Sequence, residues 1–495
     1  MARQLIKLLP KNFRAITARL MVDLDMAKVY LVGGAVRDLI LARPTKDYDL
    51  VVGGVEAAAL EHWLMEHGQV NLVGKTFGVF KWQPAGWAGE AIDVALPRTE
   101  HVSLGSGRYR DFTVQSNPDL PIEDDLLRRD FTINALAIDL ASGVIVDPSH
   151  GQADIEAKRI KTVGKPEVRF KEDLSRVLRA VRQACQLGFR IEAATLRGVV
   201  ALSSIASNGQ KAGDWLVPRE IVARELLKAL AANPIMALGL FDKTGFLAEL
   251  MPEIHALKGV PQPPEFHSEG DVFEHTKLAL EAFVTPEWRE FFGDVRPSLN
   301  VIIATLLHDI GKPLTLMTPE KHGVNRIRTD GHDVAGAKIV PEICQRLRLS
   351  SYIDPARGQI NVETVTWLVQ NHLILGHGSP EIFKPATVYR YFLKDPSQGL
   401  ELQQVIFADM HATRPEDGRR LTPKLKQLQE RLGEVNKKLT AGKLKLLLSG
   451  EDIMASFKIK PGPAVGRLLK LLEEAQLAGS VKTKRQAVNH LKKQL

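Results

Sequence analysis

From Asp173 onward the chain almost stops offering strands. Helical periodicity runs through EDLSRVLRAVRQACQLGF and PREIVARELLKALAAN and persists to the C-terminus, so any sheet has to be built from the residues before it. Those residues supply one. After a helix expected over the first 28 residues and ending near Ala27, VYLVGG reads as a buried strand running into a glycine turn, RDLILA as a short helix and DYDLVV as a second strand. EAAALEHWLMEH has helical apolar spacing, and FGVFKW and EAIDVAL add two strands. The polar, glycine-rich stretch HVSLGSGRYRDFTVQSNPDLP, between Arg98 and Pro121, is expected to be a mobile loop near the active face. The fold class is therefore an α+β head, a mixed sheet with helices, followed by mostly α domains.

A length of 495 residues at about 150 per domain suggests roughly three units, and local punctuation divides the helical part further. The proline cluster VPQPPEFHSEGDVF separates a neck from a histidine-bearing helical block, and TRPEDGRRLTPK marks a second boundary before a basic tail. The expected domains are a head at 1–162, a neck at 163–264, the histidine block at 265–412 and the tail at 413–495.

The net charge of +8 and a pI near 9.2 favour a polyanionic partner, although an evenly solvated basic surface gives the same totals. Cys185 and Cys344 are the only cysteines, which excludes a disulfide framework or a cysteine-based zinc finger and fits a reducing compartment. No run approaches the roughly 18 apolar residues of a membrane helix, and MARQLIKLLPKNFRAI lacks an uninterrupted apolar core. The expectation is a cytoplasmic protein without a membrane partner.

LVGGAVRDLILARPTKDYDLVV, residues 31–52, concentrates turn chemistry and negative charge. Asp47 and Asp49 alternate with Tyr48, so on a strand they share a face and offer two hard oxygen ligands to a divalent ion, with Asp93 of AIDVALPR as a third carboxylate. Nucleotidyl transfer uses such a set, because metal ions activate the attacking hydroxyl and stabilise the leaving pyrophosphate. Gly33 and Gly34 would let backbone N–H groups close on a triphosphate, with the following helix start and Arg37 adding positive charge. A lone pair of aspartates at this spacing is more often a solvated turn; the combination is what points to phosphate chemistry.

GGAVRDLILARPTKDYDLVV resembles the head motif of the class II tRNA nucleotidyltransferase and bacterial poly(A) polymerase family, which adds nucleotides to RNA 3′ ends without a nucleic acid template. DDLLRRDFTINALAID at 124–139, EDLSRVLRAVRQACQLGF at 172–189, and LLLSGEDIM and KIKPGPAVG in the tail follow in the family's order, so the resemblance covers nearly the whole chain. Ala42 departs from the glycine usual in that turn and makes the backbone there less permissive. The resemblance implies a nucleotidyltransferase-type head with neck, HD and tail domains, Mg²⁺ on Asp47 and Asp49, and ATP and CTP as substrates. It also implies nucleotide contacts from Gly33, Gly34, Arg37, Arg128, Arg129, Asp130, Asn134, Asp173, Arg176 and Arg179. Asp130 and Asn134, one helical turn apart, could present an acceptor and an amide to the sugar hydroxyls.

The family assigns base recognition to Asp173 and Arg176, which are three apart on a predicted helix and so share a face. Cytosine and adenine each offer an amino donor beside a ring acceptor, matching a carboxylate beside a guanidinium. Uracil and guanine reverse both groups, leaving buried polar atoms unpaired at ~1–3 kcal/mol per unmade bond. An exposed i,i+3 salt bridge would be the bland alternative.

A second constellation lies in the helical block: His275, the pair His308 and Asp309 after an apolar run, His332, His372 and Asp409. The order H…HD…H…H…D resembles the HD-superfamily phosphohydrolases. It implies one ion on His275, His308, Asp309 and Asp409, with Asp309 bridging to a second on His332 and His372. Mixed histidine and carboxylate ligation suits Ni, Mn, Co or Fe more than Mg. Metal activation of water there would open a phosphoester such as a 2′,3′-cyclic phosphate at a damaged RNA end.

Arg419, Arg420, Lys424 and Lys426, with Lys482, Lys484, Arg485, Lys492 and Lys493, make the tail basic; in this family such a tail grips tRNA rather than DNA through phosphates and 2′-hydroxyls. KIKPGPAVG, opening a helix, could set N–H groups against a phosphate. CCA addition to tRNA leads this reading. A-adding, CC-adding and poly(A) synthesis share its motifs, and an HD nucleotide hydrolase with an RNA-binding head or a noncatalytic tRNA-binding protein are the other classes.

Overall fold

The computed structural model describes residues 2–72, 79–102, 112–211, 214–375, 384–441, 446–477 and 480–493, and divides into two compact units, Met1–Leu250 and Met251–Leu495. The first unit opens with two helices, α1 (Ala2–Leu8) and α2 (Lys11–Asp23), where one was expected. Pro10 accounts for the break, because it lacks the N–H that a continuous helix needs and holds its own ψ in the extended range at 142°.

The chain then alternates β1 (Lys28–Val32), α3 (Gly34–Ile40), β2 (Asp49–Gly53), α4 (Ala57–Glu66), β3 (Gly68–Leu72), β4 (Val79–Pro84) and β5 (Ile92–Ala95). Instead of an irregular loop from Arg98 to Pro121, β6 (Arg98–Val102) and β7 (Phe112–Ser116) pair as an antiparallel hairpin; residues 103–111 of that expectation lie outside the described residues. FTVQS carries the aromatic and β-branched residues that favour pairing. After α5 (Ile122–Leu127), β8 (Ala137–Asp139) and β9 (Ile145–Val146) complete a seven-stranded sheet in the order β3-β4-β5-β2-β1-β8-β9. Only β2 and β5 run parallel in it; the other neighbours are antiparallel. Leu31, Leu50, Val52, Trp82 and Val94 are buried on it, as the alternating apolar pattern requires.

Register places the acidic strand end. Val32 pairs with Asp49 and with Ala137, and Asp49 pairs with Asp93 across the parallel strands. The glycine turn after β1 therefore sits at the same sheet end as both aspartates. At the other end of α3, Leu41 is followed by Ala42 at φ 52°, with Ala42 N–H donating to Leu39 O (3.1 Å) and Arg43 N–H to Asp38 O (2.8 Å). This is a Schellman helix stop, in which the left-handed residue is usually glycine.

The rest of the first unit is helical: α6 (Gly151–Glu156), α7 (Pro166–Glu172), α8 (Ser175–Leu187), α9 (Ala193–Asn208) and α10 (Arg219–Ala232), then Pro234–Thr244 and Phe246–Leu250. α8 buries Val177, Leu178, Val181 and Ala184 while its arginines at three-residue intervals mark the opposite stripe.

In the second unit, helices Val272–Glu281, Leu299–Leu307, His332–Arg346, Val362–Asn371 and Pro396–Ala412 form a bundle, followed by Pro423–Ala441, Gly450–Phe457, Pro463–Leu477 and Lys484–Lys492. The last three enclose their own core of Ile453, Leu468, Leu472 and Leu491. Arg419, Arg420, Lys426, Lys482, Lys484, Arg485, Lys492 and Lys493 are exposed, and Lys424 is half-buried. Among the described residues no helix is long and apolar enough to cross a membrane.

Candidate active site and metal centre

The acidic end of the sheet opens into a cleft of about 770 Å³. Every head and neck residue that the sequence singled out lines it: Gly33, Gly34, Arg37, Asp47, Asp49, Asp93, Arg128, Arg129, Asp130, Asn134, Asp173, Arg176 and Arg179. Asp47 stands just before β2 rather than on it, so strand alternation does not position it, yet it reaches the same cleft as Asp49. Burial pushes the Asp49 carboxyl up to about 6; Asp47 adds to the rise and Arg129 opposes it. Lys81 Nζ lies 3.5 Å from Asp93 Oδ1. Three carboxylates held this close repel one another, and a hard divalent cation is the group that relieves them. The donor set fits magnesium.

Gly33 adopts φ 74°, ψ −134°, a conformation closed to residues with a side chain. A Cβ there would also meet Arg129 Nη1 at 2.8 Å, so the glycine both turns the chain and lets that guanidinium approach. Asp125, fully buried and absent from the sequence reading, lies beneath: its Oδ1 accepts from Arg128 Nη2 (2.6 Å) and Nε (3.0 Å), and its Oδ2 from Arg129 Nη2 (3.4 Å). Burial alone would raise the Asp125 carboxyl, and the two guanidiniums, Arg128 foremost, hold it below the usual range instead.

Asp130 and Asn134 are joined by a bond from Asn134 Nδ2 to Asp130 Oδ1 (3.3 Å), but not on an α-helix; only a 3₁₀ turn, Thr132–Asn134, follows Asp130. Asp130 Oδ2 is 2.6 Å from Arg179 Nη2, and Asn134 Oδ1 accepts from Arg37 Nη1 (2.7 Å). Arg37 also reaches Gln183 Oε1 (3.3 Å) and Asp38, so it braces Asn134 and Gln183 instead of standing as an isolated positive point. Nor is Asp173 on a helix. Its φ and ψ of −147° and 104° end α7, and its Oδ1 caps the next helix by accepting from Ser175 N–H (2.8 Å). Asp173 Oδ2 then lies 4.0 Å from Arg176 Nε.

Sequence reasoning also missed the floor of the cleft. Arg182 continues the Arg176, Arg179 series and pairs with Glu225, a buried carboxylate on α10 that also holds Arg224 at 3.1 Å. The three-residue spacing was the available signal.

In the second unit the six predicted metal ligands form two groups, His275, His308 and Asp409, and Asp309, His332 and His372, each with ligand atoms within 4.8 Å of one another. Asp309 joins them. Its Oδ2 is 3.2 Å from His308 Nε2 and 3.8 Å from His275 Nε2, and its Oδ1 is 3.2 Å from His332 Nε2 and 3.9 Å from His372 Nε2. Asp309, His308, His372 and His275 are all at most 1% exposed.

The ring orientations are informative. His308 Nδ1 donates to Thr305 O (2.7 Å), His332 Nδ1 to Thr329 O (2.7 Å) and His372 Nδ1 to Val369 O (2.6 Å). A carbonyl only accepts, so each Nδ1 carries a proton, and in the neutral ring each Nε2 lone pair points into the site, where all three atoms are buried without a well-aligned hydrogen bond. Orphaned imidazole lone pairs beside carboxylates are the donor set of a transition-metal centre. Burial lowers His372 to about 4, with the neighbouring His308 adding to it, which keeps that ring neutral.

Glu269, unnoticed in the sequence, is the fourth anchor. Its Oε1 accepts from His275 Nδ1 and His267 Nδ1, both at 2.7 Å, and its Oε2 from Arg414 N–H (3.0 Å). Burial would raise this carboxyl, but the two histidine bonds hold it at about 2. Lys312, one turn after Asp309, contacts Asp309 Oδ2 at 2.7 Å and Gln262 Oε1 at 2.8 Å in a pocket shared with Phe266 and Lys424.

Residues 29–161 match the family described as the poly A polymerase head domain, residues 288–422 the HD domain, and residues 405–491 the tRNA nucleotidyltransferase domain 2. Among solved structures, the Bacillus stearothermophilus CCA-adding enzyme in complex with CTP aligns at a TM-score of 0.62 and 21% identity over 98% of each chain. The Thermotoga maritima CCA-adding enzyme complexed with tRNA gives 0.56 and 19% over 99% of this chain and 98% of that one. A CCA-adding enzyme in complex with ATP gives 0.58 and 19% over 98% of this chain and 94% of that one. At these identities the likeness is one of fold.

Proposed function

This chain belongs to the class II tRNA nucleotidyltransferase and poly(A) polymerase family with an HD domain, and from that premise we propose that it adds CMP and AMP to the 3′ end of tRNA. The observation that carries the proposal is the convergence of Asp47, Asp49 and Asp93 with an arginine-rich wall in one cleft. Arg128 and Arg129, aimed by Asp125, bind the triphosphate, and the backbone at Gly33 and Gly34 approaches it without a side chain intervening. Asp130 and Asn134 meet the ribose hydroxyls, and Asp173 with Arg176 reads the base edge. Asp93 receives the proton of the primer 3′-hydroxyl as its oxygen attacks the α-phosphorus and pyrophosphate departs. Magnesium held by Asp47 and Asp49 supplies Lewis-acid stabilisation of the charge that develops on the phosphoryl oxygens.

Of the readings that share these motifs, CCA addition is preferred because solved structures with this fold include CCA-adding enzymes in complex with CTP, with ATP and with tRNA. tRNA transcripts lacking one, two or three terminal nucleotides, incubated with labelled CTP or ATP, separate it from A-adding, CC-adding and poly(A)-adding alternatives. Full incorporation by Asp49→Ala would refute the site.

The histidine centre carries a second activity, hydrolysis of phosphoesters such as 2′,3′-cyclic phosphates. His275, His308, Asp309, His332, His372 and Asp409 hold the metal, and Lys312 neutralises a substrate phosphate. Transition-metal ions there supply activation of water. Phosphodiesterase activity persisting in the double variant His308→Ala, Asp309→Ala would eliminate this assignment.

A further inference from the structure

We propose that Arg169, which does not line the nucleotide cleft itself, is the positioning residue that fixes the base-reading side chain relative to the triphosphate-binding segment, and so sets nucleotide selectivity. The inference rests on the nucleotidyl-transfer reading above.

α5 ends at Leu127, and the last carbonyls of a helix have no partner within it. Arg169, on α7, supplies partners from outside: Nη2 donates to Leu127 O (2.8 Å), Nη1 to Arg128 O (3.0 Å) and Nε to Val163 O (3.2 Å). One planar guanidinium thus ties three carbonyls from two segments, a task its fixed fork of donors suits and an ammonium does not. The segment it grips is the one whose side chains, Arg128 and Arg129, face the triphosphate.

The same guanidinium continues toward the base reader. Arg169 Nη1 also donates to Glu172 Oε2 (2.9 Å), and that one oxygen accepts from Arg176 Nη1 (2.6 Å). Arg176 Nη1 donates as well to the backbone carbonyl of Arg169 (3.2 Å), and Arg176 Nη2 lies 3.5 Å from Arg128 O. Arg176 is 8% exposed, and these bonds tie its guanidinium to Arg169, to Glu172 and to Arg128 O, while Asp173 Oδ2 lies 4.0 Å from its Nε. Arg128 O accepts from both arginines and is the shared point of the two readers.

Selectivity requires this connection. A nucleotide whose phosphates are pinned presents its base edge at a fixed place, and only a reader fixed in the same frame leaves the wrong edge unpaired. A reader free to slide can regain hydrogen bonds to uracil or guanine. Removing the tie should therefore relax discrimination more than it slows chemistry, because no reacting atom touches Arg169.

The test compares wild type, Arg169→Lys and Glu172→Gln in single-nucleotide addition to a tRNA primer ending before its first C, with CTP and UTP assayed separately. The expected result is a roughly tenfold fall in the CTP:UTP ratio of kcat/KM, from a higher KM for CTP with kcat changed less. Glu172→Gln keeps the shape and removes the shared charge, so it reports even where Arg169→Lys does not fold. A folded variant with the wild-type ratio overturns the role of Arg169 and leaves the transferase reading standing. Equal losses for both nucleotides with a lowered melting temperature also overturn it, as mere structural support. A wild-type enzyme that extends no primer removes the transferase reading and this role with it.

Discussion

Replacing Asp125 by asparagine should weaken triphosphate binding without changing any residue in contact with it. Asp125 is 0% exposed, while Arg128 and Arg129 keep side-chain exposures of 18% and 20%. Two unit charges at the 3.4 Å separation of Asp125 and Arg129 attract by ~5 kcal/mol at an effective dielectric of about 20. Much of that is offset, because a neutral amide escapes the desolvation a buried carboxylate suffers. Breaking a buried pair by removing one charge typically costs ~3–5 kcal/mol, and the partial exposure of both arginines places this case lower, at ~2 kcal/mol. The amide oxygen can keep the two bonds from Arg128, but the amide nitrogen then points a donor at Arg129. With about 2 kcal/mol lost, the melting temperature of the first unit should fall by roughly 4–8 °C. If about half of that loss is felt in phosphate binding, KM for ATP and CTP rises roughly fivefold with kcat less affected. Thermal melts and steady-state incorporation into a tRNA primer measure both. An unchanged KM and a melting temperature within about 1 °C of wild type would show that the buried carboxylate does not aim the arginines.

Asp49 makes a pH-dependent prediction. Its folded pKa of about 6 lies above the unfolded carboxylate value near 3.9, so the folded protein binds more protons between them and loses stability as pH rises through that window. Magnesium should restore it, giving a larger rise in melting temperature at about pH 7.5 than at about pH 5; equal shifts, or none in Asp49→Asn and wild type alike, refute the metal assignment. Glu269→Gln should lower transition-metal retention ~10–100-fold, read as metal content after dialysis against a chelator, while primer extension stays at the wild-type level. Retention equal to wild type would refute the role of Glu269. Ala42→Gly should stabilise by ~0.5 kcal/mol, the relief of left-handed strain less the glycine's added chain entropy, and a lowered melting temperature would contradict the strain at φ 52°.

Much of the site was legible because its residues sit at local landmarks. Alternation marked β2 and β5, and both sets of candidate metal ligands stood in the chain in readable order. What stayed hidden depended on geometry that periodicity ignores. EDLSRVLRAV reads as one helix, yet the Asp173 carboxylate bonds Ser175 N–H and turns the chain out of α7 before α8 begins. Asp125 sits one residue from the equally acidic Asp124, and only its burial distinguishes it. Glu269 gave no signal because, His267 two positions away apart, its partners His275 and Arg414 converge on it only through the fold. The hairpin of β6 and β7 was hidden by a glycine-rich composition that favours an irregular reading.

In three of the four candidate metal-ligating histidines of the second unit, the proton that fixes the imidazole is shared with a carbonyl three positions earlier in the chain. Main-chain atoms are the same whatever amino acid occupies position 305, 329 or 369, so drift at those places leaves the ligands aimed. His275 alone entrusts its aim to a replaceable side chain. Inheritance should therefore protect three corners of this centre almost automatically, and concentrate its vulnerability at the fourth.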